Sequence, residues 1–101
     1  MSTTEKADRS VVVTLMGDID VTNAEQIDAY TRGALRAQER HLVFDLSAVT
    51  FMDSKGLYAL MRASKALRAA GGDVKLRAPS TPAQLLLDIA GIDTSLLPIE
   101  H

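Results

Sequence analysis

The sequence predicts a small α/β domain built on a mixed, mostly parallel sheet, and three observations carry that expectation. Apolar runs of strand character alternate with segments of helical period, which implies crossover units around a central group of parallel strands. The run Leu42-Val43-Phe44-Asp45-Leu46 is apolar almost throughout, as in a strand covered on both faces. The chain has 101 residues, enough for one core and too few for two, and no repeat or linker divides it. A single domain over residues 1–101 follows, with 1–9 as a weak first strand or a flexible lead.

Residues 3–7 form the weak strand candidate, and a turn at Asp8-Arg9 would make the first pair a hairpin and the sheet mixed. Residues 11–16 are β-branched and apolar and are closed by Gly17, the pattern of a strand. Thr22-Asn23-Ala24-Glu25 has capping-box spacing, in which a Thr and a Glu three residues on each satisfy an orphan N–H of a new helix. That helix is expected over about 23–37, with Ala24, Ile27, Tyr30 and Ala34 on one face. After the 42–46 strand, a loop through Thr50, Phe51 and Met52 leads to Asp53-Ser54-Lys55-Gly56. A second helix then runs to about Ala70 and stops at Gly71-Gly72. Val74, Leu76 and Ala78 alternate with Lys75 and Arg77, so the next strand has one wetter face. Pro82 opens a third helix where its missing N–H costs nothing; this helix carries Leu85, Leu86, Ile89 and Ala90 and ends at Gly91. Residues 96–99 read as a short last strand that Pro98 confines to an edge.

Composition excludes several functions. Lys and Arg number 11 against 13 Asp and Glu, a net charge of −2, so nothing global draws the chain to nucleic acid phosphates. Two Tyr, two Phe and no Trp leave little for base stacking. Without cysteine there is no disulfide, thiolate nucleophile or thiolate metal site, which fits a reducing compartment. No run of eighteen apolar residues offers a membrane span and the polar amino terminus offers no signal peptide, so a cytoplasmic location is expected. The acidic residues lack EF-hand spacing, and His41 and His101 are too distant in sequence to suggest a zinc site. Neither the Walker A nor the Gly-x-Gly-x-x-Gly pattern is present, so no cofactor is expected. Asp53-Ser54-Lys55-Gly56 has a superficial likeness to Gly-x-Ser-x-Gly, but Met52 stands in the first glycine's place and neither histidine recommends itself as base. The expectation is a protein-binding domain, not an enzyme.

Ser54 draws attention by its position where a strand-linked loop becomes a helix. Either Ser54 or Asp53 reads as an ordinary N-cap. Projected at helical period, Leu57, Leu60, Met61 and Leu67 share the core side. The opposite side carries Lys55, Tyr58, Ala59, Arg62, Ala66 and Ala69, with Lys65 at its margin. Small residues admit a close approach and Tyr and Arg are favoured interface anchors, although alanine also simply favours helix. Phosphate on Ser54 would add about two negative charges and three acceptors. At a helix amino terminus the dipole and free N–H groups tolerate that charge, so it could switch a docking face without unfolding the domain.

The segment Phe51-Met52-Asp53-Ser54-Lys55-Gly56-Leu57, together with Gly17-Asp18-Ile19-Asp20, resembles the STAS domain family, and more narrowly its stand-alone bacterial anti-sigma factor antagonists. Pro79-Ser80-Thr81-Pro82 followed by Leu85, Leu86, Ile89 and Gly91 is similar to the family's third helix, and the resemblance spans about residues 10–99. It implies that the protein binds an anti-sigma factor that is also a serine kinase, so that a sigma factor is released. It further implies that the kinase phosphorylates Ser54, that binding is then lost, and that a phosphatase restores it. ATP would belong to the kinase, and Asp20 would lie near the serine. With the outer side of the second helix, the expected partner surface comprises Asp18, Asp20, Asp53, Ser54, Lys55, Tyr58, Ala59 and Arg62. Lys55 stands where the family often has a second Ser, a cation that would alter kinase choice or partly neutralise a phosphate. The family's frequent fourth helix has no counterpart here, which would leave an apolar sheet surface for a homodimer to cover. The alternative reading is a STAS interaction subunit without phosphoregulation, either a stressosome scaffold component or an accessory subunit of a lipid transporter.

Overall fold

The computed structural model describes residues 2–7, 9–91 and 95–101. The elements are β1 (Ser2–Ala7), β2 (Ser10–Ile19), α1 (Val21–Arg36), β3 (His41–Met52), α2 (Ser54–Ala69), β4 (Asp73–Arg77), α3 (Thr81–Ala90) and β5 (Ile99–Glu100). One sheet contains all five strands in the order β1-β2-β3-β4-β5; β1 runs antiparallel to β2 and every other pair is parallel. The α/β class with a mixed, mostly parallel sheet is therefore observed. The expected Asp8-Arg9 turn lies partly outside the described residues.

The three helices connect successive parallel strands, and all three contribute to one core against the sheet. The cross-strand register sorts the side chains accordingly. Val11, Leu42 and Val74 form one row, and Val13, Phe44, Leu76 and Ile99 the next. These rows join the core with Ala24, Ile27 and Ala34 of α1, Leu57, Leu60 and Leu67 of α2, and Ala83 and Leu87 of α3. The alternate rows, Ser10-His41-Asp73 and Thr14-Asp45-Arg77-Glu100, lie on the other face. That face is laced by charge: His41 Nδ1 lies 2.8 Å from the Asp73 carboxylate, and Arg77 donates to Asp45 at 2.9 Å. Burial acts to raise the Asp45 pKa, but hydrogen bonds from Ser47 and the Arg77 guanidinium outweigh it and hold the carboxyl below its ordinary value.

Several boundaries differ from the sequence expectation for local reasons. The expected loop at 50–52 is strand, because β2 and β3 continue to pair alone, through Ile19 and Met52, well past the end of β4. The cap of α1 is Asp20 and not the Thr22 box; an Asp carboxylate two residues upstream already bonds the N–H groups of Thr22 and Asn23. The last strand is 99–100 instead of 96–99, since Pro98 has no N–H to pair and contributes only its carbonyl, to Leu76 N–H at 2.9 Å. The helix-side sheet face is covered, with Val74 and Leu76 fully buried. The exposed large apolar residues sit elsewhere, including Leu85 (59% exposed) and Ile89 (75%) on α3. No helix among the described residues is long and apolar enough to cross a membrane.

Candidate functional site

Because β2 and β3 are parallel, both deliver their carboxyl ends to one edge of the domain, and both hand over there to a helix. An aspartate makes each turn. Asp20 is extended (φ −117°) and its Oδ1 accepts from the N–H groups of Thr22 at 3.0 Å and Asn23 at 3.4 Å. Asp53 is extended too (φ −104°), and its Oδ1 accepts from Lys55 N–H at 2.9 Å and Gly56 N–H at 3.0 Å. The two turns are joined: Asp53 N–H donates to the Ile19 carbonyl at 3.1 Å. Beside them the Thr50 hydroxyl donates to Asp18 Oδ1 at 2.7 Å, and the Asn23 amide donates to the Asp18 carbonyl. Each acidic residue of the expected site is thus an architectural acceptor.

Glycine at 56 has a specific cause. A Cβ built there would lie 2.6 Å from Ile19 Cγ2, 3.0 Å from the Ile19 carbonyl oxygen and 3.3 Å from Met52 Cγ. The first turn of α2 is seated directly on the end of β2, and only a bare backbone fits. Two register shifts precede this seat, and across each of them β3 has one residue more than β2. Such bulges bend a strand and re-aim its side chains. Phe51, just beyond the second, is 52% exposed.

Ser54 occupies the first position of α2 and is exposed. Asp53 holds the cap, which resolves the ambiguity between the two residues and leaves the Ser54 hydroxyl without a hydrogen bond among the described residues. The N–H groups expected to be free at this helix start are not all free, since Asp53 takes those of Lys55 and Gly56. His41, the sole histidine within a strand, sits at the opposite end of β3 on the charged face. Among the described residues no group of three or more His, Cys, Asp or Glu could hold a metal ion. A surface groove of about 460 Å³ lies over the charged sheet face along Arg9, His41 and Lys75, away from Ser54.

The outer side of α2 is open along Lys55, Tyr58, Arg62, Lys65 and Ala69. Ala59 does not belong to it: the residue is 0% exposed. α2 packs against α1 as well as the sheet, so its buried arc widens to include Ala59 and Ala63, whose small side chains allow the two helices to approach. Arg62 is exposed but committed, its Nε and a terminal nitrogen donating to the two carboxylate oxygens of Asp28 on α1 at 3.3 and 3.0 Å. Sequence reasoning missed two members of this surface. Of the five exposed large apolar residues in the described chain, three stand at this end: Val21 (62%), Phe51 (52%) and Tyr58 (53%). Only Tyr58 had a helical period to reveal it; the orientation of Phe51 depends on the bulge, and that of Val21 on which residue caps α1.

The arrangement is an uncommitted hydroxyl on a hydrogen-bonded double turn, bordered by exposed apolar side chains. It suits docking and modification, and among the described residues no imidazole bonds to the hydroxyl. The STAS domain family profile matches residues 2–101. The chain is 28% identical over 99 residues to BtrV of Bordetella bronchiseptica, a protein named as an anti-sigma factor antagonist; the match covers 98% of this chain and 84% of the relative. The solved anti-sigma factor antagonist SpoIIAA in its unphosphorylated form aligns with a TM-score of 0.82 at 23% identity, covering 100% of this chain and 89% of its own. Its phosphorylated form, described as a Bacillus cell fate determinant, aligns at 0.76 and 23% identity, covering 100% and 92%. At those identities the structural likeness speaks for the fold, and the profile match over nearly every residue speaks for the lineage: this chain belongs to the STAS domain family.

Proposed function

We propose that this STAS domain is an anti-sigma factor antagonist. It binds an anti-sigma factor through the carboxyl ends of β2 and β3 and the outer side of α2, and thereby frees a sigma factor. The same partner acts as a serine kinase on Ser54, phosphorylation abolishes the contact, and a phosphatase restores it. In that transfer Ser54 Oγ bonds to the γ-phosphorus of the kinase's ATP as the bond to the bridging oxygen breaks. ADP leaves, and the hydroxyl proton passes to a base on the kinase.

One observation carries the reading: the Ser54 hydroxyl is exposed and uncommitted at the head of α2, because Asp53 does the capping. The apolar border of Val21, Phe51 and Tyr58 supports it, since such side chains gain by losing water to a partner. The names of BtrV and SpoIIAA, and the phosphorylated form of SpoIIAA, point the same way. The proposed contact surface is Asp18, Asp20, Asp53, Ser54, Lys55 and Tyr58, extended by Val21 and Phe51, with Arg62 acting through its clamp on Asp28.

The physical basis of the switch is desolvation. A phosphate dianion added to Ser54 leaves the Asp53 cap intact, so the fold is kept. Burying that dianion under a partner without a matching counter-charge costs several kcal/mol of binding. Ser54→Asp and a protein carrying phosphoserine at 54 should keep the wild-type circular dichroism and melting temperature while losing affinity for the anti-sigma factor by at least about a hundredfold. Full affinity in both would refute the switch.

A further inference from the structure

A phosphate on Ser54 needs a counter-charge, and among the groups beside Ser54 the structure leaves one uncommitted cation. A helix amino terminus ordinarily turns its free N–H groups toward an anion. Here those of Lys55 and Gly56 are bonded to Asp53 Oδ1, and that of Leu57 to the Asp53 carbonyl at 3.2 Å. The neighbouring side chains Asp18, Asp20 and Asp53 are of the wrong sign and already accept local bonds. Arg62, two turns along the same helix, is held by both carboxylate oxygens of Asp28. Lys55 remains. It is exposed, directly follows Ser54, and its ammonium has no partner among the described residues.

We infer that Lys55 is the counter-ion through which this site is regulated: it pairs with an acidic group of the partner in the unmodified protein and is captured by the phosphate once Ser54 is modified. The inference rests on the phosphoswitch reading of Ser54. Asp20 and Asp53 are turned into their caps, Asp18 accepts from the Thr50 hydroxyl, and the apolar residues carry no charge, so Lys55 is the outward positive charge beside Ser54, and its complement is acidic. Phosphate then acts twice, withdrawing the ammonium from the partner's carboxylate and meeting that carboxylate with like charge.

The first test needs no partner. Phosphoserine is incorporated at position 54 during translation, and the pH titration of the phosphate is followed by ³¹P NMR. The second ionisation of phosphoserine lies near pH 6, and pairing with Lys55 favours the dianion. Lys55→Met should therefore raise that apparent pKa by ~0.3 unit, the worth of an exposed pair. Lys75→Met, on the far sheet face, should leave it unchanged. Equal values in wild type and Lys55→Met would overturn the inference. The second test measures unmodified protein against the anti-sigma factor across ionic strength. Lys55→Met should weaken binding about two- to fivefold at low salt and flatten its salt dependence. Unchanged affinity and slope would overturn the acidic complement. A positive ³¹P result with full binding of the phosphorylated protein would instead sink the switch reading while leaving the Lys55–phosphate pair standing.

Discussion

Two helices of this domain have a serine at their threshold and use it in opposite ways. In α3, Ser80 is itself the cap: its Oγ accepts from Ala83 N–H at 3.4 Å, while its own N–H donates to the Leu46 carbonyl at 3.1 Å. In α2, Asp53 is the cap, with two bonds at 2.9 and 3.0 Å, and Ser54 falls one position inside the helix with its hydroxyl in solvent. The same side chain is structural in one place and available in the other, and a single upstream carboxylate makes the difference. The third helical position differs as well. Ala83 fits at 0% exposure in α3, whereas the equivalent Gly56 of α2 has no room for a methyl against Ile19. The availability of Ser54 thus depends on a cap and a seat that the ordinary helix start does not need.

The largest effect should come from spoiling the seat. Gly56→Ala forces a methyl to within 2.6 Å of Ile19 Cγ2 and close to the Ile19 carbonyl, so α2 or β2 must shift. The expected loss is about 1–3 kcal/mol, read as a lower urea midpoint at unchanged slope. A neutral result would show that α2 does not rest on β2 as described. The caps come next. Asp53→Ala should cost about 1–2 kcal/mol, and Ser80→Ala about 0.5–1 kcal/mol, since the charged cap makes two bonds and the hydroxyl one long bond. Reversal of that order, measured in the same denaturation series, would remove the distinction between the two helix starts.

A third aspartate makes the same local bond without starting a helix, and acid separates it from the caps. Asp45 Oδ1 accepts from Ser47 N–H at 2.9 Å, the same two-residue reach as Asp53 to Lys55, but its second oxygen is held by Arg77. Its folded pKa is depressed, so its stabilisation is fully present above the unfolded carboxyl value near 3.9 and is lost as pH falls through the lower folded value. With Arg77 partly open to water, the contribution is about 1 kcal/mol. Asp45→Asn should lower stability at neutral pH by that amount and flatten the decline below pH 4. An unchanged acid limb would move the acid sensitivity to other carboxylates.

The sequence made the alternation of elements, the core rows and the position of Ser54 legible because each follows from a period or a spacing within a few residues. Leu42, Phe44 and Leu46 declare a buried strand by themselves, and Pro82 and Gly91 bracket α3 as expected. What failed depended on partners distant in the chain. Residues 50–52 look like loop until Asp18 and Ile19 are found beside them. Ala59 looks exposed when α2 is projected against the sheet alone, and becomes buried once α1 is set alongside it. The capping box at Thr22 was a valid local pattern that lost to a carboxylate at Asp20. Phe51 was visible as part of a motif, yet its outward turn needs the extra residue in β3, which pairing alone reveals.

The smallest stability effect is the most discriminating. Ser54→Ala removes a hydroxyl that bonds to nothing among the described residues, at an exposed first helical position where alanine is a good helix former. Its stability should stay within about 0.5 kcal/mol of wild type, while Ser80→Ala, the same chemical change at the other helix, falls measurably. In binding the order should invert. Ser54→Ala removes the site of phosphate addition, so the protein should hold its partner and resist inactivation by kinase and ATP, whereas Ser80→Ala, still carrying Ser54, should be inactivated like the wild type. Equal destabilisation by the two substitutions would mean that the Ser54 hydroxyl has structural work after all. It would then not be available as the acceptor.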